Sequence, residues 1–159
     1  VENFTIRSAE SRDVQRLVEL LRHGALADSQ EDPTDLTAYR AALTEIQAKG
    51  GSDVLVAELD GEVVGMCQIE VFRHFQRHGG LCAEVESMHV LPSFRGKAIG
   101  GRLLDAAVDA ADRAGCYRVQ LTSNLQRTDA HRFYERHGFA PSHVGFKRIL
   151  KETDRVTRG

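Results

Sequence analysis

Apolar and polar positions along this chain change period several times, and each change marks an expected element. FTIR (Phe4–Arg7) alternates at period two, the pattern of a short strand with one buried face. Ser11 reads as a helix cap, because Val14, Leu17, Val18 and Leu21 follow it at helical spacing. The polar, acidic run His23–Asp35 is broken by Pro33 and reads as a loop. A second helix is expected from about Leu36 to Ala48, stopped by Gly50-Gly51. VLVAEL and EVVGMCQIEVF flank Asp60-Gly61, a pair that favours the positive-φ turn of a two-residue hairpin.

Beyond a polar excursion, RHFQRHGG, the run CAEVESMHVL predicts the next strand. A helix then begins at Ile99 or Gly100, carries Leu103, Leu104, Ala107, Val108 and Ala111 on one stripe, and ends at Gly115. YRVQLTS predicts another strand, Thr128 caps a helix bearing Ala130, Phe133 and Tyr134, and Gly138 stops it. A short strand or two near VGFKRIL closes the pattern. The order β-α-α-β-β-β-α-β-α-β, with one βαβ crossover from Val85–Leu91 to Tyr117–Ser123, predicts an α/β (α+β) mixed, mostly antiparallel sheet with helices on both faces. One domain over residues 1–150 is expected, with 151–159 as a short polar tail.

Composition narrows the function classes. With 159 residues, 42% hydrophobic and 28% charged, the chain is long enough for a proper core. A formal net charge of −2 gives no global field for nucleic acid or an anionic membrane, so neither is expected as a partner. No apolar run approaches a membrane span, and Val1–Glu10 lacks the apolar centre of a signal peptide. Cys67, Cys82 and Cys116 are scattered and odd in number, which predicts reduced, buried thiols and a cytoplasmic protein. His74 and His78 are four apart in a segment read as loop and have no third ligand at a recognisable spacing, so no metal is expected.

The stretch that asks for a ligand is VLPSFRGKAIGGRLL (Val90–Leu104). It follows a strand and opens a helix, so the free amides of Gly96–Gly101 lie at the positive end of a helix dipole, with Arg95 and Lys97 beside them. Three anion classes compete. A Walker loop needs Ser or Thr after its lysine, and Lys97 is followed by Ala98. A Rossmann site needs an acidic residue closing the second strand, and that strand ends in Thr122-Ser123-Asn124. What remains is a pyrophosphate whose attached chain runs off along the neighbouring strand. Within that strand Glu84 and Glu86 are two apart and share a face, while Val85 and Ser87 point to the other.

Arg95-Gly96-Lys97-Ala98-Ile99-Gly100 resembles the Arg/Gln-x-x-Gly-x-Gly/Ala hallmark of the GNAT superfamily of acetyl-CoA-dependent N-acetyltransferases, with Ala98 where that family usually has glycine. The resemblance covers nearly the whole chain and includes Val90-Leu91-Pro92, Asn124, and Ala130-x-x-Phe133-Tyr134-Glu135-x-x-Gly138-Phe139. In wording, TSNLQRTDAHRFYERHGFAPSHVGFK is most similar to aminoalkylphosphonate N-acetyltransferases. The resemblance implies acetyl-CoA as cosubstrate, held by Arg95, Gly96, Lys97, Ala98, Ile99, Gly100 and Gly101. It implies that the backbone of Met88, His89 and Val90 and the side-chain amide of Asn124 meet the pantetheine arm. It further implies Glu84 as the base, with Glu86 as the second choice, and Tyr134 as the acid toward the leaving sulfur.

The acceptor is expected to be a primary amine on a small metabolite, acetylated by direct attack in a ternary complex. Arg73, Arg77 and His78 form one basic loop, and Asp28 with Glu31, Asp32 and Asp35 forms an acidic one. Together they suit a small zwitterion such as an aminoalkylphosphonate; the alternative is that both loops are solvated charge. Two other functions compete, a peptide or protein N-acetyltransferase and a non-catalytic acyl-CoA-binding module. The latter could dispense with Glu84 and Tyr134. The oligomeric state is open, a homodimer included.

Overall fold

The computed structural model describes residues 2–26 and 29–151; Asp28, expected near the acceptor, lies outside the described residues. The chain divides into two compact units, residues 1–121 and 122–159.

The first unit is a five-stranded sheet with its helices. In chain order it comprises β1 (Phe4–Ser8), α1 (Val14–His23), α2 (Thr37–Ala48), β2 (Asp53–Leu59), β3 (Glu62–Arg73), the single turn α3 (Gln76–Gly79), β4 (Leu81–Val90), α4 (Ile99–Arg113) and β5 (Cys116–Gln120). The strands lie in the order β1-β2-β3-β4-β5. All neighbours are antiparallel except β4 and β5, which run parallel because α4 is a crossover between them. Val54–Ala57 of β2 and Val63–Cys67 of β3 are buried, or nearly so, without alternation, which requires cover on both sheet faces. On one face Ile69, Val71 and Ala83 pack against Ala111 of α4, with Leu81, Cys116 and Val119 at the margin. Leu103 and Leu104 of α4 are fully buried, each contributing roughly 1.5–3 kcal/mol of transfer free energy. Cys67, also without exposure, behaves as a core residue, and burial pushes its thiol up to about 12.

The start of α1 departs from expectation. Ser11 does not cap it; Ser11–Asp13 form a 3-10 turn, and the Asp13 carboxylate accepts the Glu10 amide at 2.7 Å. Asp13 is held there by Arg7, which donates to both its oxygens at 2.7 and 3.0 Å and also reaches Glu58 at 2.7 Å. Burial alone would raise the Asp13 carboxyl. The Arg7 and Glu10 hydrogen bonds and the Arg7 charge outweigh it and hold the group below its ordinary value.

The second unit carries α5 (Thr128–Arg136). Arg127, not Thr128, occupies the cap position, and Gly138 at φ 88° ends the helix as expected. The strand expected at VGFKRIL does not form: among the described residues no ladder involves 140–150, and Val144 and Phe146 are 69% and 92% exposed. Apolar and aromatic residues make a strand only where a neighbour supplies hydrogen bonds. β5 likewise stops at Gln120, short of the expected Ser123.

Candidate functional site

β4 pairs with β3 along its whole length but with β5 only as far as Glu84↔Gln120. Among the described residues, the outer edge of Val85–Val90 therefore faces no strand, and the two parallel strands part into a notch. A bulge accompanies the parting. On β3, Met66 and Gln68 stand opposite His89 and Glu86, so β4 spends one residue more than β3. Ser87 takes up the extra length at φ 53°, a left-handed value rare outside glycine. The expected contact strip Met88, His89 and Val90 lies beyond this bulge. An extended ligand could lie along this edge as a strand would. His89 also packs against the end of α1, where a Cβ on Gly24 would lie 2.0 Å from its Nδ1.

The glycine turn follows directly. Gly96 stands at φ 81°, and Ala98 at φ 61°, ψ 14° immediately precedes α4. The bond closing the first turn of α4 runs from the Arg102 amide to the Ala98 carbonyl at 3.2 Å, so the amides of Ile99, Gly100 and Gly101 precede the ladder. Arg95 Nε donates to the Val90 carbonyl at 3.3 Å, and Lys97 Nζ sits 5.4 Å from the Phe94 ring centre. Both side chains are exposed beside the positive end of the helix. Gly65 makes the approach possible: a Cβ there would stand 2.9 Å from Leu103 Cδ1 and 3.3 Å from the His89 carbonyl. The same glycine thus seats the start of α4 against the end of β4.

Glu84 lies where the strands part. It is half-buried, and Gln120 Nε2 donates to its Oε2 at 3.1 Å. Across β3 and β4, Glu84 stands opposite Glu70 and Glu86 opposite Gln68, so Glu70, Glu84 and Glu86 share one face. Lys49 Nζ reaches Glu70 at 3.0 Å. Glu86 is the exposed member of the pair weighed as base. Such an arrangement can attract an ammonium and accept its proton at a partly shielded oxygen. Gln120 and Glu70 escaped the sequence reading because their placement depends on pairing across strands.

Arg73, Arg77 and His78 gather at the β3–β4 turn, beside the start of β5. Arg73 Nη1 donates to the Gly79 carbonyl at 2.7 Å, and the Arg77 guanidinium lies 5.1 Å from the Tyr117 ring centre. Asn124 and Tyr134 belong to the second unit. There Asn124 Oδ1 accepts the Gln126 amide at 2.9 Å, and Tyr134 packs edge-on to Phe133 and Phe139 at 5.2 and 6.1 Å. Among the described residues no group of three or more His, Cys, Asp or Glu could hold a metal ion, and no helix is long and apolar enough to cross a membrane.

A mixed sheet split along its one parallel pair, with a glycine turn and helix start at the end of the split, defines an acetyltransferase class of fold. Comparison with known proteins gives the family. The Acetyltransferase (GNAT) family profile matches residues 14–139, and the chain belongs to that family. It is therefore an N-acetyltransferase with acetyl-CoA as cosubstrate. The aminoalkylphosphonate N-acetyltransferase of Salmonella typhimurium is 41% identical over 91 residues, 57% of this chain; the match spans only 58% of that relative's length. The L-methionine sulfoximine/L-methionine sulfone acetyltransferase of the same organism is 32% identical over 139 residues, 86% of this chain and 80% of that protein. Among solved structures, a transcriptional regulator from Bacillus halodurans C-125 superposes with a TM-score of 0.85 at 33% identity, covering 93% of this chain and 100% of that one.

Proposed function

We propose that the protein acetylates the primary amine of a small metabolite that also carries an anionic group, by direct attack on acetyl-CoA in a ternary complex. The observation that carries this reading is the position of Glu84, half-buried at the point where β4 and β5 separate. The pyrophosphate of the cosubstrate occupies the amides of Gly96–Gly101 with Arg95 and Lys97 beside it, and the pantetheine arm pairs with Met88–Val90. The acceptor arrives as an ammonium, with a lysine-like pKa of ~10.4, and loses a proton to Glu84 through water. Its nitrogen bonds to the thioester carbon, the oxygen gains charge that backbone amides stabilise, and the C–S bond breaks. The family resemblance gives Tyr134 the part of proton donor to the departing thiolate and Asn124 that of a contact to the arm.

Two relatives support the acceptor class. An aminoalkylphosphonate and L-methionine sulfoximine each join an amine to an acidic group. The reading takes residues 1–150 as one working domain, and the free thiols of Cys67, Cys82 and Cys116 support a reducing, cytoplasmic setting. Release of the free thiol from acetyl-CoA, measured across aminoalkylphosphonates, amino acids, polyamines and lysine peptides, tests it. Turnover is expected with an anionic small amine in preference to peptides and polyamines. Thiol release with no amine of the panel would overturn the reading.

A further inference from the structure

Away from the notch, a shallow concavity of about 690 Å³ is lined by Arg77, His78, Gly80 and Tyr117. A second, of about 310 Å³, shares Arg77 and Tyr117 and adds Gln76 and Arg118. We infer that Arg118 and Arg77, set around the Tyr117 ring, form the pocket that receives the oxyanion of the acceptor, a phosphonate or a carboxylate. The inference rests on the acetyl-transfer reading for the amine end of that acceptor.

The pocket is built, not incidental. Its floor is the Tyr117 ring, whose hydroxyl is paired with His74 Nδ1 and receives Gln76 Nε2 at 3.4 Å. The ring lies so close to the turn that a Cβ on Gly80 would stand 2.8 Å from its Cδ1. Two guanidiniums lie near the ring, Arg77 at 5.1 Å and Arg118 at 5.4 Å from its centre. Among the described residues neither enters an ion pair. A guanidinium has five N–H donors and no acceptor, so two of them at one concavity present a donor surface suited to an oxyanion. The turn itself is strained: Arg77 (φ 55°, ψ 45°), His78 (φ 55°, ψ 38°) and Gly79 (φ 69°) are left-handed in succession. Non-glycine residues hold such angles only where their surroundings impose them, and such residues concentrate at binding sites. Here Arg73 grips the Gly79 carbonyl and the His74 amide donates to the Gly80 carbonyl at 2.8 Å, which ties the ends of the turn.

Register connects the pocket to Glu84. The parallel pairs Cys82↔Arg118 and Glu84↔Gln120 put Arg118 on the face that carries Glu84, and the Gln120 hydrogen bond to Glu84 confirms that face. Two residues along a strand span about 7 Å. Charge along this face is therefore segregated: Glu70, Glu84 and Glu86 toward the notch, and Arg118 toward the turn that carries Arg77. An amine whose nitrogen sits at Glu84 meets the guanidiniums with an acidic group a few bonds away. A neutral amine leaves them unanswered, and a polyamine would place a second cation there. Arg118 is thus a specificity-determining residue for the acceptor.

The test uses propylphosphonate and butyrate, which lack the amine, titrated calorimetrically into wild type, Arg118→Ala, Arg77→Ala and Glu84→Gln. Saturable binding of either anion is expected in wild type and Glu84→Gln, weakened at least tenfold in Arg118→Ala and in Arg77→Ala. In turnover, Arg118→Ala should reduce the preference for an aminoalkylphosphonate over an aminoalcohol of equal length at least tenfold, chiefly through KM. If wild type binds neither anion, or the arginine variants bind as wild type does, the pocket is overturned. A preference unmoved by Arg118→Ala also overturns it as the acceptor's site. Anion binding lost in Arg118→Ala, with no acetyl transfer to any small amine, would instead refute the small-amine acceptor and leave the oxyanion pocket standing.

Discussion

Ala98 holds φ 61° and ψ 14° just before α4 opens, in the left-handed region where a Cβ crowds the following carbonyl at a cost of about 1–2 kcal/mol. Glycine at this position would release that strain but give the unfolded chain more freedom, worth about 0.4–1 kcal/mol in the other direction. Ala98→Gly should therefore stabilise the protein by about 0.5–1 kcal/mol, raising the melting temperature by about 1–4 °C. Thermal unfolding checks this, and a lower melting temperature would contradict the left-handed geometry. Ala98 could be singled out from sequence because it stands where the Arg/Gln-x-x-Gly-x-Gly/Ala hallmark has glycine. Ser11 misled for the opposite reason. A hydroxyl before a helical stripe is a sound local signal, but Arg7, itself held by Glu58 far along the chain, fixes Asp13 as the group that receives the Glu10 amide.

At the scale of elements, α4 and β4 together make the cofactor end of the site. The helix was legible because its stripe of Leu103, Leu104, Ala107 and Ala111 reports burial directly. Its lead-in strand was legible too. The parting of β4 from β5 was not: it depends on the bulge at Ser87 and on β5 ending at Gln120, and neither leaves a periodic trace. The run VGFKRIL looked like a strand, yet apolar and aromatic residues close together do not record whether a neighbouring strand exists. If α4 presents its first amides to a pyrophosphate, Gly100→Asp sets a side chain and a like charge against the ligand. Coenzyme A affinity, measured by calorimetry, should fall at least tenfold while the unfolding transition stays cooperative. Unchanged affinity would remove the helix start from the cofactor site.

For the molecule as a whole, a net charge of −2 conceals a sheet face with carboxylates at one end and the Arg118 guanidinium at the other. Summing charges along the chain argues against a global field for nucleic acid, but it could not reveal that segregation. Glu84 and Glu86 were legible as a same-face pair from their spacing; Gln120 and Arg118 enter only because the α4 crossover lays β5 beside β4 in a particular register. In the proposed reaction Glu84, at the mouth of the split, takes the acceptor's proton. The most direct measurement is the pH dependence of kcat/KM for thiol release by wild type and Glu84→Gln, using the amine that wild type turns over fastest. At neutral pH the variant should be slower by about 100-fold, with coenzyme A binding intact. The deficit should shrink as pH rises toward the acceptor's own pKa of ~10.4, where the amine arrives already neutral. Wild-type rates in Glu84→Gln at neutral pH, or a deficit that does not narrow with pH, would contradict it.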